Sequence, residues 1–171
     1  LEFPADVKIK MLFLGKGDQL EYIKQCSKDD SRVEYGGFLS NEELIPELLN
    51  ADLLINPRPT SLEFTGLSFP SKLIEYLATG TPILTTRISS IPSCYEEFFY
   101  YIDDESGIGI QQAILRVMET DPIERNLVAQ IIGVKSESKG ENLNKFDIKK
   151  IIPQIWDNFG KYIGEFPFIN E

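Results

Sequence analysis

The feature that most limits the fold of this chain is the run FPSKLIEYLATGTPILTT, residues 69–86, in which a helix pattern passes into a strand pattern at a glycine. Pro70 suits the first turn of a helix because it has no N–H that would need a partner there. Gly80 can adopt the left-handed conformation that ends a helix, so the pattern predicts a helix over about Pro70–Thr79. The apolar run Ile83–Thr86 has the length and composition of a strand buried on both faces. A helix that leads into such a strand is typical of an α/β fold.

The same alternation of strand and helix patterns extends along the chain. Strands are predicted at Lys8–Leu14, Arg32–Tyr35, Asp52–Asn56 and Phe98–Ile102, and helices at Asp18–Lys28, after the capping-box sequence Ser40–Glu43, and between Ser106 and Thr120. This alternation indicates a three-layer α/β/α fold with a parallel sheet. Ligands of such folds bind beyond the carboxyl ends of the strands, so we expect the loops that leave these ends to converge on a site.

Lys72 and Glu75 are three residues apart, so they share one face near the start of the first helix described above. A helix start attracts anions and a lysine adds a positive charge, so a phosphate could bind there, with Ser71 helping to satisfy an exposed backbone donor. Glu75 could accept hydrogen bonds from ribose hydroxyls. The alternative for Glu75 is an exposed helix carboxylate without a ligand.

Two other segments carry weaker signals. Gly15, Lys16 and Gly17 follow the first predicted strand, where glycines can bring the backbone close to a phosphate or simply form a tight turn. Lys16 alone would be a solvated side chain. Arg58 lies between two prolines, and it is either an ordinary surface residue or a phosphate contact on a rigid loop.

Composition excludes several classes of protein. The chain has 171 residues, a net charge of −10 and no histidine, which opposes a nucleic-acid surface and excludes histidine bases and serine-histidine triads. Cys26 and Cys94 lack metal-ligand spacing, so we interpret both as small apolar residues in a reducing compartment. The acidic run 103–105 is expected to be a solvated turn rather than a metal site. No apolar run could span a bilayer, and the start of the chain lacks both a signal peptide and an initiator methionine, as in a fragment of a longer chain.

The run at residues 69–86 also resembles a known signature. Its elements Pro-Ser-Lys-x-x-Glu-Tyr-x-x-x-Gly-x-Pro, in that order, resemble the donor-binding motif of the retaining glycosyltransferases of family four, the "group 1" set. Similar agreement is found at Val7–Gly17, Arg32–Leu39 and Glu42–Leu54. The resemblance covers roughly Val7–Met118.

The resemblance implies the donor-binding half of a two-domain enzyme with a glycosyltransferase B-type, Rossmann-like fold. Such an enzyme would transfer a hexosyl group from a nucleoside-diphosphate sugar to a glycan, lipid-linked or other acceptor, as in polysaccharide biosynthesis, without a metal or other cofactor. The acceptor would be bound by an N-terminal domain that is absent from this chain. The residues implied to bind the donor are Gly15, Lys16, Gly17, Phe38, Leu39, Arg58, Thr65, Gly66, Leu67, Ser68, Ser71, Lys72 and Glu75.

The chain departs from the family pattern at one position. Many members carry two glutamates, of which the second matches Glu75, while the first falls on Leu67 here. Glu63 is the nearest acid that could replace it. A second hypothesis is therefore a non-catalytic nucleotide-binding or partner-interaction module.

We expect one nucleotide-sugar-binding domain over residues 1–171, with a core at about 7–133 and C-terminal helices at about 146–163. The expected location is cytoplasmic, with any peripheral membrane contact made through the absent half.

Overall fold

The computed structural model describes residue 3, residues 7–62 and residues 70–120. The elements, in chain order, are β1 (Met11–Leu14), α1 (Leu20–Asp29), β2 (Val33–Gly37), α2 (Asn41–Asn50), β3 (Leu54–Asn56), α3 (Ser71–Leu77), β4 (Ile83–Thr86), a 3-10 helix (Ser93–Phe98), β5 (Tyr100–Ile102) and α4 (Gly107–Glu119). The predicted alternation of strands and helices is confirmed. The predicted helices at 146–163 lie outside the described residues.

All pairings between the described strands are parallel. β1 pairs with β2, and β4 lies between β3 and β5, so the described strands form a two-stranded and a three-stranded sheet. The helices flank these sheets, which confirms a Rossmann-like α/β fold. The chain divides into two compact units, an amino-terminal unit (Glu2–Glu47) and a second unit that begins at Leu48. The assignment of residues 1–171 to a single domain stays a prediction.

The start of α2 is stabilised by the capping box that the sequence predicts. The backbone N–H of Ser40 donates to the carboxylate of Glu43 at 2.8 Å, and the N–H of Glu43 donates to Ser40 Oγ at 3.3 Å. The hydrogen bonds from Ser40 hold the pKa of the Glu43 carboxyl below its usual range. The helix therefore begins where local side-chain chemistry satisfies its free backbone donors.

The turn between α1 and β2 is held by Asp30. Its carboxylate accepts hydrogen bonds from the backbone N–H of Arg32 at 2.9 Å and from the guanidinium of Arg32 at 2.8 Å. The same guanidinium donates to the carbonyl of Phe3 at 3.0 Å. One side chain thus joins the turn to the segment that precedes β1.

The hydrogen bonds from Arg32 lower the pKa of Asp30 from 3.8 to about 2. Because the pKa is lower in the folded state, the interaction stabilises the fold above about pH 4, and its contribution is lost as the pH falls from about 4 to about 2. We expect a carboxyl ¹³C titration to place the pKa of Asp30 near 2 in the parent and near 3.8 in Arg32→Ala. Equal values in the two proteins would contradict the pairing.

The core of the second unit is built around β4. Ile83, Leu84, Thr85 and Thr86 are all at most 1% exposed, as predicted for a strand buried on both faces. Leu73 and Leu77 of α3 and Ala113, Ile114 and Val117 of α4 complete this core, whereas Ile110 of α4 is only half-buried.

Several element boundaries differ from the sequence-based expectation. α3 ends at Leu77 and continues as a turn to Gly80, whose φ of +69° confirms the predicted left-handed residue. β1 begins at Met11 rather than Lys8. Phe98 closes the 3-10 helix that starts after Pro92 and therefore precedes β5 instead of belonging to it. An apolar run alone does not distinguish a strand from a buried helical turn.

The start of α4 depends on the close approach of Asp104 to Gly109. Asp104 accepts hydrogen bonds from the backbone N–H and the hydroxyl of Ser106, at 2.8 and 2.9 Å, which lower the pKa of Asp104. Ser106 Oγ in turn accepts from the N–H of Gly109 at 3.1 Å, so Ser106 caps the helix whose start the sequence places at this residue. A methyl group on Gly109 would overlap the Asp104 carbonyl oxygen and lie 2.5 Å from its Cβ and Cγ.

Gly109→Ala is expected to destabilise the fold by roughly 1–3 kcal/mol. The energetic cost of the steric overlap should exceed the gain in helix propensity, which is about 1 kcal/mol. Gly107→Ala is the matched control, since a Cβ at Gly107 meets no atom within 4 Å. The control should leave the stability unchanged or raise it by up to about 1 kcal/mol. Urea unfolding of the three proteins measures both effects, and equal stability of the two variants would refute the close approach.

Candidate functional site

The carboxyl edge of the β3–β4–β5 sheet holds the segment Pro57–Thr60 in place by side chains. Pro57 has no N–H, and the β3–β4 ladder ends with the pair Asn56 and Thr85. The next residue of β4, Thr86, replaces the ladder: its Oγ1 accepts from the N–H of Arg58 at 3.1 Å and donates to the carbonyl of Arg58 at 2.6 Å. Thr86 is 1% exposed, so water cannot compete for these bonds. The backbone of Arg58 is therefore fixed at this edge.

Glu105 fixes the other side of the same segment. The N–H of Thr60 donates to both carboxylate oxygens of Glu105, at 3.1 and 3.2 Å, and the Thr60 hydroxyl donates to Glu105 Oε1. Glu105 lies between β5 and α4. Arg58 and Pro59 thus lie between two anchors, one on β4 and one in the loop that follows β5.

The guanidinium of Arg58 differs from those of the other arginines described in the second unit. Arg87 and Arg116 lie 3.6 and 3.7 Å from the carboxylate of Asp103, and Arg87 also stacks over the ring of Tyr101 at 3.8 Å. Among the described residues, the Arg58 guanidinium has no ion pair and no hydrogen bond, although its backbone is fixed. It is therefore a cation available to a ligand.

Lys72 and Glu75 form an ion pair on the solvent-facing side of α3. Lys72 Nζ lies 2.7 Å from Glu75 Oε2, and the two side chains are 52% and 42% exposed. The predicted shared face is confirmed, and the direct pairing of the two charges is an addition to the prediction. Within residues 7–62 and 70–120, no donor reaches the second carboxylate oxygen of Glu75. That oxygen can accept a hydrogen bond from a ligand.

Topology places the start of α3 toward the same edge. β3 and β4 are parallel, so the chain must return between them from the carboxyl edge of the sheet to its amino edge. α3 lies on this return and leads into β4, so Ser71 and Lys72, at the start of the helix, are nearer the carboxyl edge than Leu77. Ser71 and Lys72 are exposed. The second unit thus has Arg58, Lys72 and Glu75 as candidate ligand-binding charges.

The amino-terminal unit has its own convergence of strand ends. The N–H of Gly15 donates to the carbonyl of Gly37 at 2.8 Å, and the Tyr35 hydroxyl donates to the carbonyl of Gly15 at 2.9 Å. Lys16 Nζ lies 4.3 Å from the centroid of the Phe38 ring, which is 64% exposed. The predicted meeting of the loops after β1 and β2 is confirmed, and it leaves an aromatic face open to solvent.

The remaining predicted residues divide into three groups. Gly15 has a φ of +122°, a backbone conformation that favours glycine, so the turn itself accounts for glycine at this position. Gly17 is exposed, and a Cβ at that position would meet no described atom within 4 Å. Leu39 is half-buried. Thr65, Gly66, Leu67 and Ser68, together with Glu63, lie outside the described residues.

The acidic run 103–105 is exposed, and each of its members contacts a different partner. Asp103 lies near Arg87 and Arg116, Asp104 accepts from Ser106, and Glu105 accepts from Thr60. In the described part of the chain, no three histidine, cysteine or carboxylate side chains are grouped to hold a metal ion. The sequence prediction of a solvated turn missed the role of Glu105 as an anchor.

Thr86 and Glu105 are the two residues at this edge that the sequence prediction missed. The available signal was the sequence Pro57-Arg58-Pro59, because a segment with two prolines cannot be held by a regular ladder and needs side-chain anchors.

Cys26 is a free, half-buried cysteine, consistent with its interpretation as an apolar residue. No helix in the described ranges combines the length and the hydropathy needed to cross a bilayer.

Comparison with known proteins assigns the family. The model of the family described as "Glycosyl transferases group 1" matches residues 2–120, and the chain belongs to this family. Among solved structures, the chain is similar to that of Anabaena HepE in complex with UDP, with 16% identity and a TM-score of 0.45. The match covers 90% of this chain and 41% of that protein, so the chain spans less than half of its length. No curated protein matches the chain.

Proposed function

We propose that this chain is the donor-binding domain of a retaining glycosyltransferase and binds a nucleoside-diphosphate sugar at the carboxyl edge of the β3–β4–β5 sheet. The observation that carries the proposal is Arg58, whose guanidinium has no partner among the described residues and whose backbone segment is held at this edge by Thr86 and Glu105. Membership of the glycosyltransferase family supports the class of reaction. The acceptor would be a glycan or lipid-linked molecule.

The diphosphate is the part of the donor that Arg58 and Lys72 would bind. A guanidinium offers parallel N–H donors that match two phosphate oxygens, and such charge-assisted bonds are stronger than neutral ones. Lys72 would bind as a point charge, because its ammonium has three donors and can reach a phosphate oxygen while it keeps its contact with Glu75. The amides and hydroxyls of residues 65–68 and of Ser71 are also proposed to bind the diphosphate.

The ribose is assigned to Glu75. Its carboxylate has one oxygen bound to Lys72 and one without a partner among the described residues. A carboxylate can accept from both ribose hydroxyls at once. The negative charge of Glu75 is balanced by Lys72, so it need not repel the diphosphate.

In the amino-terminal unit, taken by itself, Phe38 is proposed to bind a nucleobase. The exposed ring of Phe38 offers a flat apolar face on which a nucleobase can stack. Leu39 and the turn at Gly15, Lys16 and Gly17 would form the surroundings of that ring. This assignment is tested by its own variant, Phe38→Ala, against nucleosides of different bases.

In transfer, these residues would stabilise the leaving group. As the glycosidic bond to the diphosphate breaks, negative charge grows on the leaving oxygen, and fixed positive groups lower the energy of that state. We propose that this chain needs no metal for the purpose, because Arg58 and Lys72 supply positive charge. A second domain would bring the acceptor, so the chain alone is expected to bind donor without turnover, in the cytoplasm or at a membrane surface.

A non-catalytic nucleotide-binding module is the second candidate, and the leucine at position 67 favours it, because the family's sugar-contacting acid is absent there. Competition distinguishes the two candidates. A donor-binding domain should bind a nucleotide sugar in competition with the matching nucleoside diphosphate. A module that recognises only the nucleotide should lose affinity when the sugar is attached.

Calorimetry with uridine, guanosine and adenosine diphosphates, the matching nucleosides and inorganic pyrophosphate tests the proposal. We expect one diphosphate to bind best, its nucleoside to bind much more weakly, and pyrophosphate to compete with it. No binding by any diphosphate would refute the site. Sugar transfer by the chain alone would refute the need for a second domain.

A further inference from the structure

The anchoring of Arg58 by two residues distant in sequence suggests a role for those residues. We propose that Thr86 and Glu105 are positioning residues that hold the Arg58 guanidinium ready for the donor diphosphate, an inference that rests on the proposed function. Neither residue is expected to touch the donor. Their contribution would be to fix the segment that carries the contacting side chain.

The local sequence makes such anchors necessary. The prolines at positions 57 and 59 have no N–H, so the segment between them cannot continue the hydrogen-bond ladder of β3. Without other restraints, Arg58 would have to be ordered when the ligand binds, and that ordering would reduce the affinity. Thr86 removes this cost by binding both backbone groups of Arg58.

Removal of the charge of Glu105 distinguishes a positioning role from direct electrostatic repulsion of the diphosphate. A carboxylate beside a diphosphate would repel it, so removal of this charge alone should tighten the binding of an anion. The bonds from Thr60 predict the opposite effect, because Glu105 holds the end of the Arg58 segment. The sign of the change therefore shows which effect dominates.

The test uses the full chain and whichever of uridine, guanosine and adenosine diphosphate binds it most tightly. Thr86→Val keeps the shape and removes the hydroxyl, and it should weaken binding roughly three- to tenfold. Thr86→Ser keeps the hydroxyl and should restore binding to within about twofold of the parent. Glu105→Ala should weaken binding roughly three- to tenfold, despite the loss of a negative charge.

Two matched controls lie in the same unit. Thr81 is a buried threonine two residues before the start of β4, and its hydroxyl donates to the carbonyl of Leu48 at 3.1 Å, so Thr81→Val makes the same chemical change away from the carboxyl edge. Asp103→Ala removes a carboxylate two residues before Glu105 without affecting Thr60. Thr81→Val should leave the affinity unchanged, and Asp103→Ala should leave it unchanged or raise it.

The decisive comparison repeats Thr86→Val and Glu105→Ala in an Arg58→Ala background. If the two residues act through Arg58, neither substitution should change the affinity of the Arg58→Ala protein by more than about twofold, because the effects of coupled residues are not additive. Equal weakening in both backgrounds, or no weakening in the parent, would overturn the positioning role while leaving the proposed function intact. If Arg58→Ala itself has no effect, the assignment of the diphosphate to Arg58 is wrong and the positioning role falls with it.

Discussion

Replacement of Glu75 by glutamine is expected to weaken nucleoside-diphosphate binding by roughly 1.5–3 kcal/mol, about ten- to 150-fold. The variant keeps the shape of the side chain and removes its charge, so the bonds to the ribose hydroxyls lose their charge assistance. The fold should be unaffected, because the exposed pair with Lys72 contributes only about 0.2–0.5 kcal/mol to stability. Calorimetry measures the loss, and thermal unfolding checks the fold.

The control for Glu75 is Glu97→Gln, a change of the same kind at an exposed glutamate of the 3-10 helix. It should bind the nucleotide as well as the parent does. Lys72→Ala complements the test by removing the cation of the same pair. If Glu75→Gln and Lys72→Ala both bind like the parent, the motif is only the start of a helix.

Arg58→Ala is expected to weaken diphosphate binding by roughly 1.5–3 kcal/mol, because it removes the charge-assisted bonds proposed to the phosphates. Arg58→Lys should have an intermediate affinity, since it keeps the charge and loses the planar fork. The effect should be smaller at high salt, where exposed charges are screened. Calorimetry with the nucleoside diphosphate and with pyrophosphate measures both changes, whereas Glu75→Gln should affect only the former.

Arg87→Ala is the control for Arg58, because Arg87 already lies near Asp103 and over the ring of Tyr101. Its removal should change the affinity by less than about twofold. Equal losses in Arg58→Ala and Arg87→Ala would indicate a general effect of net charge and would contradict a specific contact at Arg58.

The features of the fold that depend on local chemistry could be predicted from the sequence. The caps at Ser40 and Ser106, the left-handed Gly80 and the fully buried β4 each depend on a few adjacent residues. The shared face of Lys72 and Glu75 also follows from helix geometry. These signals sufficed for the class of fold and for the first candidate residues.

The anchors of the site could not be predicted in the same way. Thr86 and Glu105 contact a segment that lies 28 and 45 residues earlier, and no spacing rule connects positions so far apart. The order of strands in a sheet decides which loops meet, and the alternation of strand and helix patterns along the sequence does not specify that order. The direct pairing of Lys72 with Glu75 was also missed, because the prediction assigned the two charges to different parts of one ligand.

Backbone chemical-shift mapping with the tightest-binding nucleoside diphosphate tests the central claim most directly, because it detects weak binding and shows its location. We expect the largest changes at the amides of Arg58, Thr60, Ser71, Lys72 and Glu75. Amides at the opposite edge of the same sheet, such as those of Leu54 and Thr81, should change little. Changes confined to that opposite edge, or none at Arg58 and Glu75 under saturation, would contradict the proposed site.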